Sequence, residues 1–139
     1  MIRLRAVKPG LAEELAEETL PALLRRRRRA LGLKTAEAAD VFGIAEWSYR
    51  AWERGLSEPA ARKYPKVIEF LGHEPWSPPV SLRERFRAER LRRGLMIQEA
   101  SALVGIHSTK LGQFERHPER EWSLAFRLKV EALFGQRRT

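Results

Sequence analysis

Apolar positions in this chain fall into short runs at helical spacing, punctuated by glycine and proline. Leu20, Leu23, Leu24 and Ala30 predict an opening helix, capped at its start by Thr19 and closed by Gly32. A second helix is predicted from Thr35 to Phe42, where Ala36, Ala38 and Ala39 allow another helix to approach closely. Gly43 then makes a sharp turn into a third helix, Glu46 to Arg54, with Tyr49 and Trp52 facing inward. Ser57-Glu58-Pro59 reads as the capped start of a further helix. A last one, Pro65 to Leu71, ends at Gly72.

The pattern repeats. A shift of 62 residues pairs Leu20 with Leu82, Arg28 with Arg90, Gly32-Leu33 with Gly94-Leu95, Gly43-Ile44 with Gly105-Ile106, and Glu53-Arg54 with Glu115-Arg116. In the second copy Ser81…Glu84 is a capping box, in which hydroxyl and carboxylate satisfy each other's orphan amides. Leu82, Phe86 and Leu91 follow, then helices at Ile97–Val104, with Ala100, Ser101 and Ala102, and at Ser108–Arg116, with Leu111 and Phe114 inward. A closing helix runs from Ser123 to Phe134 and ends at Gly135. Between the copies lie Pro75, Pro78 and Pro79, which favour an extended tether over a helix. The implied organisation is an N-terminal extension (1–17), a first domain (18–73), a linker (74–80), a second domain (81–135) and a tail (136–139). Within the extension, Leu11 and Leu15 among glutamates form a short amphipathic segment, read as packing on the first domain.

Leu33…Ala39…Gly43-Ile44…Trp52-Glu53-Arg54-Gly55 resembles the Cro and phage-repressor (XRE-type) helix-turn-helix family, and Leu95…Gly105-Ile106…Phe114-Glu115-Arg116 is similar to it. The resemblance implies an all-α fold of two tandem lambda-repressor-like five-helix domains joined by a short Pro-rich linker. It also implies binding to double-stranded operator DNA, with the third helix of each domain in the major groove. The positions then facing base edges are Glu46, Trp47, Arg50 and Ala51 in the first copy, and Ser108, Thr109, Lys110, Gly112 and Gln113 in the second. Arg25, Arg26 and Thr35 are placed toward phosphates. The same resemblance implies structural ion pairs, Arg28 with Glu53 and Arg90 with Glu115.

Several positions depart from that family's pattern. Where it often carries serine or threonine followed by glutamine, this chain has Lys34-Thr35 and Met96-Ile97. Ser101 replaces a usual alanine, and Gly112 sits inside a helix, where it costs about 1 kcal/mol relative to alanine. Gln113 can pair bidentately with adenine, and Lys110 can take guanine or phosphate. Glu46 can accept from cytosine N4 but is repelled by phosphates, and Trp47 suits either a thymine methyl or a protein contact.

Charge agrees with a polyanionic partner. The chain carries 27 Lys and Arg against 18 Asp and Glu; residues 18–73 hold 11 positive and 7 negative charges, residues 80–139 hold 13 and 7. Both halves are therefore basic on their own. Cysteine is absent, and His73, His107 and His117 lack metal-ligand spacing, so no metal or cofactor is expected. No glycine-rich phosphate cradle, nucleophile elbow or carboxylate pair suggests catalysis, and an enzyme is not expected. Met1–Arg5 lacks a secretory pattern and no apolar run spans a bilayer, which points to a cytoplasmic protein without membrane contact. The expectation is a bacterial or phage transcriptional regulator, alone or as a homodimer. The rival is a protein-interaction module, antitoxin-like, antirepressor-like or RNA-polymerase-binding, that keeps the fold without most base reading. RNA binding is disfavoured, because the narrow major groove of A-form RNA excludes a helix.

Overall fold

The computed structural model describes residues 18–134, and within them the chain is all-helical. The amphipathic N-terminal segment, Gly135 and the 136–139 tail lie outside the described residues. Eight α-helices are seen among the described residues: α1 (Leu20–Ala30), α2 (Thr35–Phe42), α3 (Glu46–Arg54), α4 (Tyr64–Leu71), α5 (Leu82–Arg92), α6 (Ile97–Val104), α7 (Ser108–Arg116) and α8 (Leu124–Phe134). A short 3-10 turn, Ala61–Lys63, leads into α4. The described residues divide into two compact units, one formed by 18–58 with 70–77, the other by 59–69 with 78–134.

In the first unit, Thr19 caps α1 by accepting from the Ala22 amide at 3.4 Å. The Glu37 carboxylate accepts the Lys34 amide at 2.8 Å at the start of α2. Gly43 closes α2 with φ +66°, a left-handed conformation that glycine adopts without the strain a Cβ would bring. The turn folds α3 back across α2, and α1 packs on α3. Leu23, Leu24, Ala38 and Ala39 are buried, together with an aromatic group centred on Phe42. The Phe42 ring lies 5.9 Å from Tyr49, 5.3 Å from Trp52 and 5.1 Å from Phe70, the last two edge to face. Ala30, read from sequence as part of the buried face of α1, is exposed. Arg28 takes the inward position near the end of that helix, and two residues on the chain has turned about 200°.

In the second unit, Ser81 and Glu84 form the capping box: the serine hydroxyl accepts the Glu84 amide at 3.1 Å, and Glu84 accepts the amides of Ser81 and Val80 at 2.9 and 3.1 Å. Those backbone donors hold the Glu84 carboxyl below its ordinary pKa. The core gathers Phe86, Ala100, Val104, Ile106, Leu111, Phe114, Phe126, Val130 and Phe134. Ser123 caps α8, accepting the Phe126 amide at 3.2 Å. Ser101 donates to the Ile106 carbonyl and so satisfies an acceptor in the turn between α6 and α7.

One expectation is corrected. No separate α-helix starts at Ser57-Glu58-Pro59. Each copy has four α-helices among the described residues, not five. Proline at 65 has no N–H to give the Ala61 carbonyl, so an α-helix cannot run through from Pro59. The chain instead closes a 3-10 turn, Lys63 N–H to Ala60 O at 2.8 Å, and α4 begins where a proline is tolerated in the first turn. The segment Pro59–Glu69, which the repeat places within residues 18–73, groups with the second unit. There the 3-10 turn packs on α5, and the Pro65 ring sits against Gly94, where a Cβ would meet Pro65 Cγ at 2.9 Å.

Candidate nucleic-acid interface

Helix α3 has a buried side and an exposed one. At about 100° per residue, Tyr49, Trp52 and Glu53 share its inner side, and all three are buried. Trp47, Arg50, Ala51 and Arg54 share the outer side, and Glu46 lies at the boundary between the two; Trp47 is 76% exposed, Arg50 and Arg54 are exposed, and Glu46 and Ala51 are half-buried. Ala45 supplies no side-chain cap to α3, and its carbonyl accepts the Ser48 amide at 3.1 Å.

The inner side is fixed by a bidentate ion pair. Arg28 Nε donates to Glu53 Oε2 at 2.7 Å, and its Nη2 donates to Oε1 at 3.1 Å. Arg28 also donates to the Leu33 carbonyl at 3.0 Å, and Arg25 to the Glu53 carbonyl at 2.7 Å. Burial alone would raise the Glu53 carboxyl; the hydrogen bonds and charge of Arg28, with Arg25 nearby, outweigh it and hold the group below its ordinary pKa. The Tyr49 hydroxyl is buried, and burial, then the Glu53 carboxylate, push its phenol up.

On the outer side three side chains close a small network. Thr35 Oγ donates to Glu46 Oε2 at 2.5 Å, Arg50 Nη2 meets the same oxygen at 2.9 Å, and Arg50 Nε reaches Thr35 Oγ at 3.4 Å. The Thr35 hydroxyl, then Arg50, lower the Glu46 pKa. Beside the network lies a shallow recess lined by Arg25, Thr35, Arg50, Glu53 and Arg54. Of the other arginines in the run, Arg26 pairs with Glu18 at 2.7 Å and Arg27 donates to the Phe70 carbonyl at 2.9 Å.

Helix α7 follows the same geometry with different chemistry. Arg90 grips Glu115 at 2.8 and 2.6 Å and donates to the Leu95 carbonyl at 2.8 Å. Its outer side carries Ser108, Thr109, Gln113 and Arg116. His107 caps it, its Nδ1 accepting the Thr109 amide at 3.1 Å. Two residues read from sequence as part of the reading face make contacts with neighbouring side chains. Lys110 lies about 200° round from Ser108, and its Nζ sits 5.3 Å from the Phe126 ring centroid, a cation–π contact on the flank of the helix. Gly112 is buried beneath the Arg116 side chain, whose Nη1 would lie 3.1 Å from a Cβ. Gln113 is half-buried, and its side-chain carbonyl accepts from Arg120 at 3.1 Å. Arg54 and Arg116, at the far ends of the two outer faces, are additions to the sequence reading; their spacing of eight residues from Glu46 and Ser108 was the available signal.

Gly112→Ala should stabilise the chain by about 0.5–1 kcal/mol, because helix propensity improves and only the flexible end of an exposed arginine must yield. Urea denaturation of the full chain checks this; a lower midpoint would mean that Arg116 cannot move aside.

Among the described residues no cluster of His, Cys, Asp and Glu could hold a metal, and no helix is long and apolar enough to cross a membrane. No curated protein and no solved structure gives a significant match to the chain. A match does exist at family level, over residues 24–76, to the helix-turn-helix family. That segment runs from Leu24 in α1 through the α2–turn–α3 pair to Trp76.

Proposed function

We propose that the protein is a cytoplasmic, sequence-specific DNA-binding regulator, bacterial or phage, in which two helix-turn-helix units of one chain occupy operator DNA. The observation that carries this reading is the outer side of α3. A rigid helix, pinned from behind by Arg28–Glu53 and an aromatic core, presents Trp47, Arg50 and Arg54 outward. Arginines position the protein on phosphates, and side chains at the start of the helix meet base edges. The second unit supports the tandem reading through helices of equal length at the same offset: α5, α6 and α7 repeat α1, α2 and α3 62 residues on. Ser108, Thr109, Lys110 and Gln113 are its reading residues. No catalytic step, cofactor or metal is assigned to either unit.

Selection from a randomised duplex pool, followed by titration across salt, tests the reading. A narrow motif should be recovered, and the affinity should fall steeply with salt as Arg and Lys release phosphate counterions. Recovery of random fragments overturns it. One observation favours the rival interaction module: an indole 76% exposed is the side-chain type most enriched where protein interfaces concentrate their binding energy. Under that reading Trp47→Ala abolishes partner binding and leaves no duplex preference to lose.

A further inference from the structure

The network of Thr35, Glu46 and Arg50 sits on the face proposed to meet DNA, yet it contains the one group there that phosphates repel. Its geometry is specific. Both the threonine hydroxyl and the arginine Nη2 converge on a single carboxylate oxygen, Oε2. Neither contact falls on Oε1, and a carboxylate has about four acceptor sites. Arg50 spends one Nη2 hydrogen on Glu46 and its Nε on Thr35, so Nη1 and the second Nη2 hydrogen are left to form a parallel pair of donors. The arginine is thus held at two points and aimed, with a carboxylate acceptor beside its donor fork.

That arrangement matches one base pair better than the others. In the major groove a C·G pair offers a donor, cytosine N4, next to two acceptors, guanine O6 and N7. A·T presents a donor and acceptors too, but its thymine side shows a methyl group and an oxygen that would face the carboxylate. Against phosphates alone, the Glu46 charge cancels much of what Arg50 contributes. Resting on the DNA-reading assignment above, we propose that Glu46 and Arg50, braced by Thr35, act as one preset reader of a G·C pair, and that Glu46 is its specificity-determining residue. Glu46 lets Arg50 bind tightly only where a cytosine amino group donates a hydrogen bond to the carboxylate.

The test is selection and binding with wild type, Glu46→Gln and Arg50→Lys, each full length and checked for unchanged helicity. The wild type should recover a motif with one invariant G·C pair. Glu46→Gln should bind non-cognate duplex roughly tenfold more tightly and lose most of its discrimination at that pair, a change within the range one base contact supplies. Arg50→Lys, which keeps the charge but lacks the planar fork, should lose the guanine preference and keep the salt dependence. A wild type that recovers a motif with no invariant G·C pair, or a motif that Glu46→Gln recovers unchanged with the same ratio of specific to non-specific binding, overturns this inference alone. A wild type that recovers no motif overturns the DNA-reading assignment and this inference with it.

Discussion

Glu53→Ala should cost about 3–5 kcal/mol of stability, because it strands the Arg28 guanidinium in a site where only 14% of its side chain is exposed. Chemical denaturation of the full chain measures the loss. Replacing both partners by apolar residues, Arg28→Met with Glu53→Leu, should cost far less than the two single changes together, since no uncompensated charge remains. A Glu53→Ala loss below about 1 kcal/mol would show the pair to be no more than a surface contact. The same group sets an acid limit. Its pKa is lower in the fold than in the unfolded chain. Its contribution is therefore fully present above the ordinary carboxylate pKa and drains away as pH falls through the depressed folded value. Tyr49 sets the opposite limit: its phenol is raised in the fold, so its contribution holds below the ordinary value of 10.0 and is lost as pH rises beyond it.

Phe86→Ala should cost a comparable amount, about 3–5 kcal/mol, in the second unit. The ring is fully buried, lies 5.1 Å from Phe134 edge to face and 6.0 Å from Phe114, and its removal leaves a void ringed by side chains from α5, α7 and α8. Phe86→Leu, which refills most of that space, should cost much less. Calorimetry or urea melts distinguish the two; equal small losses would mean that these helices close up around the gap.

The helices themselves are legible because each is announced by a device with a physical cause. Ser81 and Glu84 satisfy amides, glycines at 43 and 105 turn left-handed, and aromatic or aliphatic residues four and seven positions after Ala45 and His107 point inward. The Arg28–Glu53 and Arg90–Glu115 contacts come through family resemblance; spacing alone does not join residues 25 apart. The fifth helix fails because the cap signal at Ser57-Glu58-Pro59 says nothing of the hydrogen bond that Pro65 forbids. Lys110 has no counterpart in the first reading set, since the repeat pairs it with Ser48, and counting degrees round the helix puts it on the flank. Glu46 stands out in the sequence as an oddity, but its partners cannot be foreseen there, since Thr35 reaches it from another helix. The link from Arg120 to Gln113 has no signal at all: residues 117–123 have no period, and only the folded chain brings that loop beside α7.

That link bears on how evenly two units would share the work of choosing a site. Arg120 also lies 5.1 Å over the Trp122 ring, so Gln113 gives up a stacked, charged donor before it touches adenine. What it gains from a cognate base is the difference between two good bonds, and a mismatch beneath α7 forfeits little. Under the proposed reading, the natural target is lopsided: one strict half bound by the first unit, beside a permissive half that drifts freely between promoters.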